Sequence, residues 1–114
     1  MQNYKEVCGN EQELWFEVQD NERNSFLQWA KALGCVWING KEIDPNEQNN
    51  SQSFFHAIFF YAITDNGKLA RIPAFAWFEK NGQFDSVKRY MFCEFIQGKL
   101  ISPKEYWQTH KWLK

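Results

Sequence analysis

Tight turns divide the second half of this chain into long apolar segments, and this pattern constrains the fold most. The turn at residues 65–68 contains Asn66–Gly67, and it separates an apolar segment at 54–64 from another at 69–78. Both Asn and Gly tolerate positive φ angles, so this pair is typical of a hairpin. A second Asn-Gly turn precedes a third segment at 84–96. We therefore predict three consecutive strands in an antiparallel meander.

The flanking residues predict further elements on both sides of this meander. Residues 13–20 alternate between apolar and polar side chains, as a half-buried strand does. Apolar residues then recur at helical spacing up to Gly34, which is a typical helix end. Residues 35–38 form a short apolar segment before Asn39–Gly40, and residues 41–43 could return as a hairpin arm. Ser102 and Pro103 are a typical start for a final helix.

These elements together predict an α+β fold with the order β-α-β-(β)-β-β-β-α. We expect an antiparallel sheet of four to six strands with two helices, packed on one face of the sheet. Residues 1–12 are polar and lack periodicity, so we expect a flexible N-terminal arm or a short first strand. Residues 13–114 are then a single domain, which is an ordinary size for a chain of 114 residues.

Composition argues against membrane and secreted classes of protein. No apolar run reaches the roughly 18 residues that a membrane-spanning helix needs, and the first residues do not resemble a secretory signal. Cys8, Cys35 and Cys93 leave an odd thiol and contain no CxxC pair, unlike a disulfide-rich secreted domain. We therefore expect a cytoplasmic protein with reduced thiols and no membrane partner.

Sequence motifs for catalysis, metal binding or cofactor binding are lacking. The glycines are scattered as turn residues and form no phosphate-binding loop. The two histidines, His56 and His110, are close in sequence neither to each other nor to the cysteines. We therefore predict no catalytic residue, no metal site and no cofactor. A small-molecule binder with an aromatic pocket, in which His56 supplies the polar group, stays an alternative.

Charge is distributed unevenly along the chain, although the net charge is only -1. Residues 1–65 carry ten acidic and four basic side chains, whereas residues 66–114 carry four acidic and nine basic ones. Two interpretations stand. Either the halves meet and cancel within one domain, or the surface has an acidic and a basic side that steer a charged partner.

Aromatic residues make up 18% of the chain, including six Trp. Periodicity does not place all of the tryptophans inside, so either helices on both sheet faces bury them or an exposed aromatic patch receives a partner. That partner is another protein or a second copy of this chain. A second alternative is single-stranded nucleic acid, whose bases stack on aromatics while cations hold phosphates. Its candidate residues are Arg71, Lys88, Arg89 and Tyr90.

Residues 26–40, continuing to 43–45, resemble part of small uncharacterised proteins encoded by bacteriophages and prophages. The likeness rests on a G-x-x-W-x-x-G pattern at Gly34, Trp37 and Gly40, and it covers about 20 of the 114 residues. The resemblance implies a small accessory protein without enzymatic activity. Some such proteins block host defences, as anti-CRISPR proteins do, by binding a nuclease complex in the host cytoplasm.

Protein–protein binding is therefore the leading prediction from the sequence. Trp is a favoured anchor at interfaces, because it contributes a large contact area with few torsions. Acidic side chains around the predicted hairpin would suit a basic partner surface. The predicted partner-binding residues are Trp37, Glu42, Asp44, Glu47 and Trp77.

Overall fold

The computed structural model describes residues 3–46, 59–81 and 88–110. It confirms the predicted α+β class, with five strands in one open sheet and mostly short helices. The strands are β1 (Glu13–Val18), β2 (Val36–Trp37), β3 (Phe59–Thr64), β4 (Lys68–Pro73) and β5 (Arg89–Met91). The helices are α1 (Tyr4–Cys8), α2 (Arg23–Ala32), α3 (Ala74–Asn81), α4 (Phe92–Phe95) and α5 (Pro103–His110), and a 3₁₀ turn covers Asp20–Glu22.

The predicted hairpin at residues 65–68 is confirmed. It joins β3 to β4 as an antiparallel pair in which Tyr61 lies opposite Arg71. Gly67 has a φ angle of 81° and donates its N–H to the Thr64 carbonyl at 3.1 Å. A Cβ atom on Gly67 would come within 2.9 Å of the Tyr4 ring, so only glycine fits this turn beneath α1.

The sheet is mixed rather than an antiparallel meander, so the predicted strand order is wrong in part. Its spatial order is β2-β4-β3-β1-β5. The strand β5 pairs in parallel with β1, where Phe16 lies opposite Tyr90, and β2 pairs in parallel with β4. The strands β1 and β2 therefore run in the same direction, as do β4 and β5, although neither pair is adjacent in the sheet. Consecutive strands of the same direction need a crossover connection, and α2 and α3 lie in these two connections.

Two segments predicted as long strands change to helix partway along. The strand β4 ends at Pro73, and residues 74–81 form α3. A proline has no N–H for the ladder but suits a position just before or inside a helix start. The strand β5 ends at Met91, and α4 follows at once. The structure therefore has more helices than the two predicted. Continuous apolar runs do not show by periodicity where a strand ends and a helix begins.

Helices cover both faces of the sheet, whereas the prediction placed them on one. On the first face, which we call the α2 face, Phe16 packs against Phe26 of α2 and Phe92 of α4, with ring centroids 6.0 and 6.4 Å apart. On the opposite face, the α3 face, Trp77 of α3 packs against Trp15 at 4.8 Å and Phe60 at 5.4 Å. Much of the aromatic content is therefore core.

Residues Tyr4–Cys8 form the helix α1, which corrects the expectation of a flexible arm for this part of residues 1–12. The Asn3 side chain accepts the Glu6 N–H at 3.0 Å and caps α1. The Tyr4 N–H donates to the Leu33 carbonyl at 3.2 Å, and Val7 and Cys8 are buried in the core. One helical turn is too short to show apolar periodicity, which is why the sequence did not reveal it.

Within the described ranges, none of the helices combines the length and the apolarity that crossing a membrane requires.

Candidate partner-binding site

The Asn39–Gly40 turn fixes the backbone around Trp37 at the β2 edge of the sheet. The Trp37 carbonyl accepts the Gly40 N–H at 2.7 Å, and its N–H donates to the Lys41 carbonyl at 2.9 Å. The Asn39 side chain accepts the Lys41 N–H at 3.0 Å. Gly40 has a φ angle of 88°, as this turn requires. The chain therefore reverses here as predicted, although residues 41–43 continue as a loop rather than a strand.

Ile43 anchors the loop that follows and sets the direction of its neighbours. Its side chain is buried in the core, whereas Glu42 and Asp44 are both exposed. The Asp44 carboxylate accepts the Asn46 N–H at 2.9 Å, which holds the loop locally. Because one apolar side chain points inward, the two acidic side chains flanking it are presented to solvent.

Trp37, Glu42, Asp44 and Arg71 line one concave site of about 440 Å³, which we call the Trp37 pocket. The Arg71 guanidinium lies 4.7 Å from the centroid of the Trp37 ring and 5.4 Å from that of Phe59. A cation over an aromatic face at this distance is attracted by the ring quadrupole. The indole is therefore held half-buried, with charged side chains of both signs around it.

This arrangement suits recognition of a protein surface. Interfaces commonly combine an aromatic or arginine anchor with a polar rim, and the Trp37 pocket has both. Across the described residues, His, Cys, Asp and Glu side chains form no group of three that could hold a metal ion. The predicted residues Trp37, Glu42 and Asp44 are thus brought together, and Arg71 joins them although it was predicted for nucleic acid.

Trp77, which was predicted to contact a partner, lies in the core instead. It is only 1% exposed, because α3 directs it onto Trp15 and Phe60 of the sheet. The expectation that its side chain is available at the surface is therefore wrong. The predicted partner residue Glu47 and the predicted pocket residue His56 lie outside the described residues.

The residues predicted for nucleic acid are distributed over separate places. Arg71 lies in the Trp37 pocket on β4. Lys88 and Tyr90 line a smaller pocket of about 210 Å³ at the β5 edge, together with the acidic side chains of Glu11 and Glu13. Carboxylates at this position would repel phosphates. The side chains do not form one continuous basic surface.

Arg89, the remaining residue of that set, belongs to a buried ion pair on the α3 face. Its guanidinium donates to Glu17 at 3.2 Å, and both side chains are almost entirely enclosed. The guanidinium also lies 4.2 Å from the Phe60 ring centroid. The second oxygen of Glu17 accepts the Trp107 indole N–H at 2.9 Å, so this carboxylate connects β5 to α5. The sequence contains no signal for this ion pair, because Glu17 occupies an expected polar position of an alternating strand.

The cysteine side chains are free thiols, and two of them lie in the interior. Cys8 and Cys35 are buried, and Cys93 is half-buried. Burial raises the pKa of the Cys35 thiol from 9.0 to about 11, with a smaller effect from the Cys8 charge. Burial also raises the pKa of Cys93, as do the nearby carboxylates of Glu22 and Glu94. Thiolate is the reactive form, so these cysteines are poor nucleophiles at neutral pH.

We expect the free energy of unfolding to fall as the pH rises from 9 to 11. The unfolded chain releases the Cys35 proton near its ordinary pKa of 9.0, whereas the folded chain keeps it until the pH approaches 11. Urea unfolding at pH 8 and pH 10.5 measures this loss. The Cys35→Ala variant should lose less stability between these two pH values. An equally steep loss in that variant would assign the effect to other groups.

Comparison of the chain with protein-family models, with curated proteins and with solved structures gives no match. The likeness to phage-encoded proteins therefore stays a prediction from the sequence.

Proposed function

We propose that this chain is a non-enzymatic accessory protein that acts by binding another protein through the Trp37 pocket. The observation that supports this is the convergence of Trp37, Glu42 and Asp44 beside Arg71 at the β2 edge. Three of the five residues chosen from the sequence for partner binding thus line one concave site. The residues predicted for nucleic acid, by contrast, lie in separate places.

Each component of the pocket has a separate part in binding. The Trp37 indole offers a large apolar area, and its stacking under Arg71 reduces the side-chain freedom that binding must remove. Glu42 and Asp44 are exposed and screened by solvent, so they influence the association rate and the choice of partner more than the affinity. The preferred partner therefore inserts an apolar side chain into the pocket and places basic side chains beside Glu42 and Asp44.

Resemblance to phage-encoded proteins makes a host defence nuclease, such as a CRISPR effector complex, the first partner to test. A nuclease of this kind holds nucleic acid through Lys and Arg side chains that neutralise phosphates. Carboxylates on a small protein can occupy such a basic surface in place of phosphates. The acidic first half of the chain, where Glu42 and Asp44 lie, fits that role better than the basic second half does. The proposed site of action is the host cytoplasm.

Replacing Trp37 with alanine should weaken partner binding at least tenfold, because central aromatic anchors at interfaces commonly cost about 2 kcal/mol or more when removed. The Glu42→Lys/Asp44→Lys variant should slow association and reverse its salt dependence. The measurement is quantitative capture of the CRISPR effector complex on the tagged chain, followed by surface plasmon resonance. A nuclease assay in the presence of the chain then reports inhibition.

A charge change on α3 provides the matched control. Glu79 is exposed on α3 and does not line the Trp37 pocket, so Glu79→Lys should bind as the unaltered chain does. Equal binding by the Trp37→Ala variant would contradict the proposal. Titration of tryptophan fluorescence with oligonucleotides at low and high salt tests the nucleic-acid alternative. Salt-sensitive quenching that needs Lys88 and Tyr90 would favour that alternative over protein binding.

A further inference from the structure

Two turns of this chain have the same sequence, Asn-Gly-Lys, but lie in different surroundings. The first covers residues 39–41, which belong to the Trp37 pocket, and the second covers residues 66–68 in the β3–β4 hairpin. In both turns the glycine donates its N–H to the carbonyl three residues earlier, Gly40 at 2.7 Å and Gly67 at 3.1 Å. Their φ angles are also similar, at 88° and 81°. The two asparagines therefore differ mainly in what surrounds them.

Exposure of the glycine separates the two turns. Gly40 is exposed, and a Cβ atom added there would meet nothing within 4 Å. Gly67 is buried, and the same added atom would come within 2.9 Å of the Tyr4 ring. Since Tyr4 belongs to α1, rotation of the Gly67 peptide would require this helix to move. Local opening costs less free energy where a segment is exposed than where it is packed, so the Gly40 turn opens more readily.

The two asparagine side chains also have different hydrogen-bond donors. The side-chain oxygen of Asn39 accepts the Lys41 N–H at 3.0 Å, which holds the amide over Gly40. A donor at this oxygen stabilises the negative charge that develops there when a nucleophile attacks the amide carbon. Gly40 carries no Cβ atom that would shield its backbone nitrogen from that carbon. The side-chain oxygen of Asn66 instead accepts the Thr64 hydroxyl, which directs its amide towards β3.

We propose that Asn39 is a site of spontaneous deamidation, whereas the fold protects Asn66. The Gly40 nitrogen gives its proton to water and bonds to Cγ of Asn39. The bond between Cγ and Nδ2 breaks, and ammonia leaves. The resulting five-membered imide takes up one water molecule, which opens one of its two carbonyls. The product at position 39 is an aspartate or an isoaspartate, and the reaction needs no oxidant.

Deamidation would change the Trp37 pocket, because Asn39 lines it together with Glu42 and Asp44. Either product adds a third carboxylate to this lining. An isoaspartate also lengthens the backbone within the turn that holds Trp37. The charge and shape of the pocket would therefore change as the protein ages. Only this consequence for binding rests on the proposed function.

Peptide mapping of the full chain during incubation at neutral pH tests this inference. Trypsin releases residues 32–41, whose only asparagine is Asn39, and deamidation raises the mass of this peptide by the difference between water and ammonia. Fragment spectra locate the same change at Asn66 within residues 42–68. In the folded chain Asn39 should react about tenfold faster than Asn66 or more, because the buried turn must open first. In concentrated urea the two rates should become similar, since the Asn-Gly-Lys sequence is the same.

Asn39→Asp is the matched control, because it removes the side-chain amide but keeps an acceptor for the Lys41 N–H. The mass of its 32–41 peptide should stay constant, whereas Asn66 should react as slowly as in the unaltered chain. Equal rates at Asn39 and Asn66 in the folded chain would overturn the proposal. An Asn39 that stays intact in the folded chain, while both sites react in urea, would overturn it too. The mass change requires no partner, so failure to capture the nuclease complex would contradict the proposed function alone.

Discussion

Replacing Glu17 with alanine is expected to lower the free energy of unfolding by about 3 to 5 kcal/mol, which is typical when one member of a buried ion pair is removed. Glu17 lies on the α3 face and accepts from the Arg89 guanidinium at 3.2 Å. The Arg89 side chain is only 6% exposed, so water cannot replace the lost carboxylate without opening the structure. The variant also removes the acceptor of the Trp107 indole N–H and loosens α5.

Equilibrium urea unfolding, followed by far-UV circular dichroism, measures this loss directly. Asp20→Ala is the matched control, because Asp20 also pairs with an arginine, Arg23, but at 3.8 Å and with its side chain 66% exposed. Exposed ion pairs contribute roughly 0 to 1 kcal/mol. We therefore expect the midpoint of Asp20→Ala to stay near that of the unaltered chain. A similarly small shift for Glu17→Ala would show that the Glu17–Arg89 pair is not enclosed as described.

A double variant separates two quantities: the net contribution of the Glu17–Arg89 pair to the free energy of unfolding, and the loss caused by removing only one of its members. Glu17→Leu/Arg89→Met replaces both charged side chains with apolar ones of similar length. Buried ion pairs exchanged for apolar groups often leave stability unchanged or raise it. The double variant should therefore be more stable than Glu17→Ala, although each of its changes removes a member of the same pair. A double variant less stable than Glu17→Ala would indicate that Arg89 stabilises the fold mainly through its stacking on Phe60.

Local signals in the sequence were sufficient for the elements that depend on neighbouring residues. The Asn66–Gly67 turn predicted the β3–β4 hairpin, because only residues tolerant of positive φ fit there. Ser102 predicted the start of α5, where its Oγ accepts the Glu105 N–H at 3.3 Å. Alternation predicted β1, whose burial follows it at Phe16 and Val18. In each case the determinant lies within a few residues of the element itself.

Long-range pairing could not be predicted in this way. The strand β5 pairs with β1, although more than 70 residues separate Phe16 from its partner Tyr90. The strand β5 has only three residues, too few to show a periodicity that would favour β1 as its partner over β4, the preceding strand in the sequence. The parallel pairing of β2 with β4, which includes Val36 opposite Lys68, is shorter still and has no local signal. The meander prediction failed because it assumed that consecutive strands are neighbours, which the crossover through α3 prevents.

The sequence predicted site residues correctly where a local turn determines their position. It failed where the predicted secondary structure was wrong. Asn39, Gly40 and buried Ile43 fix the direction of Glu42 and Asp44, and all of these signals lie within six residues. Trp77 shows the opposite case. In a strand it would share a face with Phe75, but in α3 the two side chains point to different sides. The prediction assumed the two-residue period of a strand where the chain has the 3.6-residue period of a helix. It therefore chose Trp77, a core residue, as a surface residue.

Replacing Trp77 with alanine should lower the free energy of unfolding by about 3 to 5 kcal/mol, as is usual for a fully buried tryptophan. The indole is 1% exposed and joins α3 to the sheet through Trp15 and Phe60. Removing it leaves a cavity between α3 and two strands, and the surrounding rings can fill only part of it. The measurement is the midpoint of urea unfolding. The slope of the free energy of unfolding against urea concentration should stay unchanged, since a loss of two-state behaviour would alter that slope.

Phe75→Ala on the same helix is the control for this prediction. Both changes put alanine into α3, so they share the same gain in helix propensity. Phe75 is 47% exposed, and its removal should therefore cost much less than the removal of Trp77. If α3 were a strand, as the sequence pattern suggested, Phe75 and Trp77 would lie on one face and their losses would be similar. Losses of equal size would thus contradict the helix at Ala74–Asn81, whereas a large difference follows from it.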